Sequence, residues 1–555
     1  MADLYERSTQ LSISFCDTIQ DLSDFNGVCL IYLPRSDRVP HNTKVALVEL
    51  SETVGSKSTL IVVGDVVDLV KAHGYLSCAS SYQTWIVIRT KEQRNLGDNR
   101  LPNKHYGALI HTRYRKALQH CKTRAAYTYC PACERTTKDY GGKKHTFHGF
   151  GTIVSDIWEE TDEPLHLRFS KFFGIAPYDE LKVLDIHATK NENYCAPKVF
   201  KKKGSNDPPQ SQLVLGDCLE VIRTVDDSCM DFVFVDAPYN LKKRYTSYSD
   251  DLESQEYLKW CDLWLYELAR VLKPHRTLAV LNLPLWSMRH FSHLETMLEF
   301  QNWIVWDAIS APGRNMMPAH YSILCFSKGK ARRLPMLSTK SQKAVELGGV
   351  PPAFQFLSPL RKGYCLRAGC IKKREDIREP LTDVWYDIHR LKHNSRRVEH
   401  PCLLPPALMY RLYSIFTYKN EAILDCFNGA GTSTLTARQL QRNYIGIEID
   451  EEYHKIALAR HGEIERGLDP FRKQAKILES KNTTVPRVAQ DRSEVSKKQL
   501  QLDVRRVSEI VGASPTQDQY AEYGEYPLVL VKERFSRWTD VCAAVRVEGV
   551  KERKP

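Results

Sequence analysis

Two α/β lobes in tandem are what this sequence predicts, and three observations carry the prediction. The first is the run Met230-Asp231-Phe232-Val233-Phe234-Val235, which stops at Asp236-Ala237-Pro238-Tyr239. It has the length and composition of a buried strand ended by a turn. The second is Ala422-Ile423-Leu424, followed by Asp425-Cys426-Phe427-Asn428-Gly429-Ala430-Gly431-Thr432-Ser433 and a helix-compatible stretch from Thr434 to Leu440. A strand, a glycine-rich turn and a helix in that order let backbone N–H groups approach a ligand closely. The third is an internal repeat. Thr59-Leu60-Ile61-Val62 parallels Thr277-Leu278-Ala279-Val280, Trp85 parallels Trp303, and His105-Tyr106 parallels His320-Tyr321. Ser155-Asp156-Ile157-Trp158 then answers Thr382-Asp383-Val384-Trp385, and Leu184-Asp185 answers Leu424-Asp425. Repetition on this scale points to two similar supersecondary units.

The composition bounds the rest. A chain of 555 residues with 42% apolar content has room for two or three cored domains. A formal charge of +12 suits a protein that meets polyanions. No apolar run reaches the length of a membrane span, so no membrane partner is expected. The 16 cysteines are scattered, with no secretory leader ahead of them. That predicts reduced thiols and a cytoplasmic protein rather than a disulfide framework.

Taken in order, residues 1–196 form the first lobe, a copy that has lost its chemistry. Where the second lobe has Asp236-Ala237-Pro238-Tyr239, the first has Tyr32-Leu33-Pro34-Arg35, with no carboxylate and no stacking ring in the matching places. After Leu184-Asp185 comes Ile186-His187-Ala188-Thr189, which has no glycine to allow close approach of a ligand. The first lobe also carries Cys130-Pro131-Ala132-Cys133, the spacing of a zinc knuckle. Two pairs compete to complete the site. One is His145 and His148; the other is Cys365 and Cys370 from the equivalent stretch of the second lobe, which would clamp the lobes together. The basic run 135–145 is equally a phosphate contact or a plain solvated loop.

Residues 197–210, with Lys201-Lys202-Lys203-Gly204 and Pro208-Pro209, read as a linker. The second lobe spans 211–470. Gln212-Leu213-Val214-Leu215 is a strand delivering Gly216-Asp217, and the basic, aromatic stretch 242–248 suits a loop over the site or an ordinary exposed loop. Tyr257 to Leu272 has helical periodicity, with Trp260, Trp264 and Leu268 expected in the core. Residues 313–380 hold many cations, among them Arg314, Arg332, Arg333, Arg361 and Arg374, and form an insertion. The charged extension 471–555 has no functional reading, although 526–550 recovers apolar alternation.

The chemistry lies in the two turns. The carboxylate of Asp236 and a backbone carbonyl of Ala237-Pro238 can accept hydrogen bonds from a planar amine, and Tyr239 can stack on the ring that bears it. Beyond the glycine turn, Tyr444-Ile445-Gly446-Ile447-Glu448-Ile449-Asp450 ends a second strand in acids, placed to hold ribose hydroxyls. The glycine spacing departs from GxGxxG, which disfavours a dehydrogenase.

These motifs, in this order, resemble the amino-group DNA methyltransferases of the β arrangement, in which a (D/N/S)PP(Y/F/W) motif precedes a DPFxGxGTT motif. Gly216-Asp217-Cys218-Leu219 is similar to their GDxL element, His400-Pro401 to HPxxKP, and Tyr453 to Arg460 to the closing Y…A..R. Ala237 and Cys426 replace prolines, and the lysine of HPxxKP is absent. The resemblance covers about residues 211–460. It implies a Rossmann-like S-adenosylmethionine-dependent methyltransferase lobe preceded by a degenerate α/β copy. It also implies S-adenosylmethionine held by Asp217, Cys218, Asp425, Phe427, Gly429, Gly431, Thr432, Ser433, Glu448 and Asp450. Asp236, Ala237, Pro238 and Tyr239 would act on a base flipped out of double-stranded DNA. The insertion 313–380 falls where the family places target recognition, and its arginines would read guanine edges. An Asp-first motif implies adenine N6, with cytosine N4 as the alternative. Because such enzymes pair like subunits, the fused silent lobe would replace a second subunit, and a restriction or other defence partner is compatible. Methylation of RNA or of a protein amide, and a catalytically silent DNA-binding subunit, are the rival readings. Motif order speaks against a protein-amide methylator, and the intact acids and glycines of the second lobe speak against a silent subunit.

Overall fold

The computed structural model describes residues 12–16, 19–22, 24–33, 41–113, 123–137, 152–174, 180–185, 209–241, 251–308, 320–335, 365, 370, 381–388, 390, 403–466, 470–471, 497–524, 528, 531–532, 535 and 537–544. The expectations placed on His145, His148, the linker cations, residues 242–248, His400-Pro401, Ile186 to Thr189 and most of the insertion lie outside them.

The first lobe is built on β1 (Ser12–Cys16), β2 (Val28–Tyr32), β3 (Thr59–Gly64), β4 (Ser81–Arg94), β5 (Asn103–Thr112), the short pair β6 (Arg124–Ala125) and β7 (Thr152–Ile153), β8 (Ile157–Glu159) and β9 (Glu180–Asp185). Helices α1 (His41–Thr53), α2 (Val66–Leu76) and α3 (Leu165–Phe173) cover it. Its seven-stranded sheet runs β1-β9-β2-β3-β5-β4-β8. The second lobe has β10 (Gln212–Leu215), β11 (Met230–Val235), β12 (Leu272–Asn282), β13 (Glu299–Asp307), β14 (His320–Ser327), β15 (Val384–Trp385), β16 (Ala422–Asp425) and β17 (Asn443–Glu448). Its helices are α4 (Cys218–Thr224), α5 (Ser254–Val271), α6 (Pro284–Leu294), α7 (Pro406–Phe416), α8 (Thr432–Gln439) and α9 (Glu451–Glu465). Here the order is β10-β17-β16-β11-β12-β14-β13-β15. All pairings are parallel except those of β14 with β12 and β13. A parallel sheet is buried on both faces, so its central strands are apolar throughout. β11 is buried along its whole length. Its one acid, Asp231, is neutralised by Lys273 Nζ at 2.8 Å and Arg276 Nε at 3.1 Å and accepts the Ala422 N–H at 3.0 Å.

The repeat is therefore real at the level of topology. β9-β2-β3-β5-β4-β8 matches β16-β11-β12-β14-β13-β15, strand for strand. Register carries the match to single residues: Val28 faces Thr59 as Phe232 faces Thr277, which sets Tyr32 opposite in role to Asp236. Two differences follow. Asp185 faces Tyr32, whereas Asp425 faces Phe234, so the Leu184-Asp185 and Leu424-Asp425 equivalence holds for the strands but is displaced by two residues along them. In the first sheet β1 lies directly against β9, in the place where β17 lies against β16. The place of β17 is thus filled by a strand that precedes β2 in the chain instead of following β9.

The two lobes meet as near mirror roles. Trp85 and Trp303 stack at 5.1 Å and 12° between planes, both buried. His105 Nδ1 lies 3.2 Å from Asp383, and its counterpart His320 Nδ1 lies 2.9 Å from Asp156. Asn302 exchanges two hydrogen bonds with the backbone of Leu101, at 3.0 and 3.2 Å. One apolar cluster runs from Leu60 and Leu69 of the first lobe through both tryptophans to Val233 and Leu268 of the second. In the extension, α10 (Lys497–Val511), α11 (Gln517–Tyr523) and α12 (Trp538–Ala544) close over their own small core of Leu500, Val504, Val507 and Tyr520. Within the stretch 526–550, Trp538–Ala544 is helix where the sequence suggested alternation. Among the described residues no helix is long and apolar enough to cross a membrane.

Candidate active site

The carboxyl ends of β11, β16 and β17 open into one cleft. Its walls include Asp236 to Tyr239, Asp425 to Ala430, Thr432, Ser433 and Glu448 to Asp450, together with Gly216, Asp217 and Cys218. Crossovers on opposite sides of a parallel sheet leave such a crevice at the strand ends.

The glycine turn is held from below by acids. Gly429 and Gly431 take φ of 51° and 86°, in the left-handed region that favours glycine. Glu448 accepts the Gly429 N–H through Oε2 at 2.6 Å and the Asp450 N–H through Oε1 at 2.9 Å. Asp425 Oδ1 accepts the Phe427 N–H at 3.0 Å, and its other oxygen accepts the Ser433 hydroxyl. Burial, with the nearby charge of Asp236 adding to it, pushes the Asp425 carboxyl up to about 7 against the two hydrogen bonds. Burial also raises Glu448. Asp217 and Asp450 cap α4 and α9, each accepting two N–H groups of a first turn. Both also line the cleft. Gly431 does not line it. Its bend starts α8 and passes so close to α9 that a Cβ there would sit 3.0 Å from Ala457 Cβ.

At the other end, Tyr239 Oη donates to Asp236 Oδ1 at 2.6 Å. The Pro238 carbonyl accepts the Tyr257 hydroxyl at 2.8 Å and the Tyr239 carbonyl accepts Trp286 Nε1 at 3.0 Å, which locks the turn. Of the Ala237-Pro238 pair, the Pro238 oxygen is therefore already engaged. A second ring, Tyr321, stands 6.0 Å from Tyr239 and takes a hydrogen bond from Arg390 Nη1 at 2.8 Å.

Sequence reasoning missed several lining residues. Trp260, expected in the core, lines the cleft edge-on to Phe427 at 5.7 Å, while Trp264 and Leu268 are buried as expected. Helical period marks a face and cannot say where the core ends along it. Asn428 accepts Thr434 Oγ1 at 2.9 Å, and its buried Nδ2 has no hydrogen-bond partner among the described residues. Leu403, Leu404 and Ile449 complete the wall. Arg332, expected at base edges, instead grips Glu421 with both nitrogens at 2.5 and 2.6 Å and the Phe416 carbonyl at 2.7 Å. Arg333 lies 3.4 Å from Asp98. Away from the cleft, Cys130, Cys133, Cys365 and Cys370 come together with their sulfurs all within 4.8 Å of one another. No disulfide forms among the described cysteines.

Comparison with known proteins gives this geometry a family. The DNA methylase model matches residues 230–459. The type II methyltransferase M.BamHI of Bacillus amyloliquefaciens is 32% identical over 241 residues, 43% of this chain and 54% of that protein. The chain thus spans about half the length of this relative. M.HpaI of Haemophilus parainfluenzae, also a type II methyltransferase, is 26% identical over 281 residues, 48% of this chain and 78% of that one. Among solved structures, the cytosine-N4-specific PvuII DNA methyltransferase is 17% identical, with a TM-score of 0.33 over 45% of this chain and 86% of that one. The DNA methylase model and these type II methyltransferases are thus what the second lobe, with both of its turns, is similar to, and the first lobe repeats six strands of its sheet order.

Proposed function

We propose that the second lobe moves a methyl group from S-adenosylmethionine to the exocyclic amine of a base in double-stranded DNA, adenine N6 before cytosine N4. The observation that carries this reading is that Asp236 and Tyr239 share one cleft with the acid-braced glycine turn. Five carboxylates line it, those of Asp217, Asp236, Asp425, Glu448 and Asp450. That set of acids suits a ligand bearing a sulfonium, an ammonium group and ribose hydroxyls, and Asn428 Nδ2, without a hydrogen-bond partner among the described residues, adds a donor. S-adenosylmethionine, when bound, supplies an electrophilic methyl group.

The chain's own residues do the rest. Asp217, Asp425, Phe427, the 429–433 turn, Glu448 and Asp450 would hold the cofactor. The amine of adenine or cytosine is a weak nucleophile because its lone pair is delocalised into the ring. Asp236 accepts one amino hydrogen and the Ala237 carbonyl the other, since Pro238 is engaged by Tyr257. Those bonds draw the nitrogen toward tetrahedral geometry, with Tyr239 stacked on the ring and Tyr321 beside it. Flipping the base costs a few kcal/mol, least where pairing is already weak. The first lobe acts as the non-catalytic partner in holding DNA. The names of M.BamHI and M.HpaI support a role in restriction–modification, and the Asp-first motif supports adenine.

Incubation with methyl-labelled S-adenosylmethionine and unmethylated duplex DNA, followed by nucleoside mass spectrometry, tests this. N6-methyladenine that vanishes in Asp236→Ala supports the proposal, whereas N4-methylcytosine keeps the site and moves the target. Cofactor binding without label in DNA would overturn the DNA assignment.

A further inference from the structure

Four cysteines lie far apart in the sequence, and the pseudo-symmetry of the chain explains why they meet. Cys130 and Cys133 sit in the connection between β5 and β8 of the first lobe. Cys365 and Cys370 sit in the connection between β14 and β15, its counterpart in the second. Each copy thus contributes one pair from the same place in its fold. The pairs are brought face to face by the interface that stacks Trp85 on Trp303.

The local geometry suits a metal better than packing or a disulfide. Cys133 Sγ lies 3.5 Å from Cys365 Sγ. A disulfide needs about 2.0 Å, and the edge of a tetrahedron with Zn–S bonds of about 2.3 Å is about 3.8 Å. The CxxC turn is preformed: Cys130 exchanges backbone hydrogen bonds with Glu134 and Arg135 at 2.6 and 2.8 Å. Glu134 takes φ of 54°, which turns the chain tightly around the sulfurs. Cys130 and Cys365 are fully buried, yet neither belongs to any of the four apolar clusters of the described residues. Four thiols gathered outside a hydrophobic core have no packing reason to converge.

We propose that Cys130, Cys133, Cys365 and Cys370 bind one structural zinc ion that ties a loop of the first lobe to the insertion of the catalytic lobe. A site of four thiolates leaves no open position for a substrate, so the ion holds structure rather than reacting. It joins the connection between β5 and β8 to the connection between β14 and β15. Each thiol gives up its proton on binding, and the site needs no other reactant.

The test is metal content, which does not depend on methyl transfer. Full-length protein purified with a phosphine reductant is assayed for zinc by plasma mass spectrometry, and for cobalt substitution by its visible spectrum. One zinc per chain, a tetrathiolate cobalt spectrum, and loss of both in Cys365→Ser/Cys370→Ser would support the clamp. Cys78→Ser, at an exposed cysteine outside the cluster, should keep full zinc. Single Cys370→Ser retains three thiolates and guards against failure to fold; it should bind zinc at least tenfold more weakly. Absence of stoichiometric zinc from the reduced protein would overturn the proposal. So would full zinc retention in the Cys365/Cys370 double variant, since the ion would then be held by the first lobe alone.

Discussion

Replacing Glu448 by glutamine should loosen the cofactor turn while leaving the fold intact. The carboxylate accepts two backbone N–H groups, from Gly429 at 2.6 Å and Asp450 at 2.9 Å, one on each oxygen. An amide has one oxygen, so its NH2 must confront the second N–H. A hydrogen bond to a charged acceptor contributes about 1.5–3 kcal/mol, and an orphaned buried donor costs a similar amount. A loss of about 2–3 kcal/mol in the order of the turn corresponds to a rise of about 30- to 150-fold in the Kd for S-adenosylmethionine. Glu448 supports the turn and is not at the heart of either sheet, so Tm should fall by only a few degrees. Isothermal titration of the wild type and Glu448→Gln at pH 8 gives the two affinities. Circular dichroism melts supply the control. A Kd within threefold of wild type in a folded variant would refute the reasoning, and Glu448→Ala should then be equally silent.

Burial raises the Asp425 carboxyl from 3.8 to about 7, so the folded state keeps a proton that the unfolded chain has released. The sign is a loss of stability as pH rises from about 4 to about 7, of up to about 4 kcal/mol, constant above. The difference in unfolding free energy between wild type and Asp425→Asn across that window should show this slope; a flat difference curve would contradict it. Trp85→Ala removes one half of the stacked pair between the lobes and should cost about 3–5 kcal/mol in chemical unfolding. A cost below about 1 kcal/mol would mean that the lobes do not share a core. Gly446→Ala places a methyl group 2.8 Å from Asn428 Cγ and Thr434 Cγ2, wedging β17 from the glycine turn. It should weaken cofactor binding at least tenfold with about 1–3 kcal/mol of destabilisation, measured by titration and melts together; unchanged affinity would show that the strand yields without moving the turn.

What was legible in the sequence and what was not divide along physical lines. Asp236, Asp425 and Glu448 were readable because each ends an apolar run, with Tyr239 and Gly429 in the turns that follow, and strand ends in a parallel sheet converge on one edge. The repeat was readable because Trp85 and Trp303, and His105 and His320, occupy buried interface positions where side-chain identity is tightly constrained. Trp260 packs against the core as expected and also lines the cleft, a second role that helical period could not reveal. Arg332 was taken for a base reader because an arginine looks the same in sequence whether it faces DNA or Glu421. The approach of Cys365 to Cys133 was not legible, since only the pairing of the lobes brings them together. The displacement of Asp185 relative to Asp425 is a matter of register, which a slip of two residues leaves invisible in the hydrophobic pattern.

The joining of both lobes in one chain has a consequence for dilution and for inheritance. Two separate subunits held by a stacked tryptophan pair and two His–Asp contacts would part company as their concentration fell, whereas tethered halves face each other at a fixed effective concentration. In a symmetric pair, moreover, every substitution strikes both copies at once. Here the glycine turn and its acids stand in one copy's sequence without a counterpart in the other's, so a substitution in either lobe leaves its twin untouched.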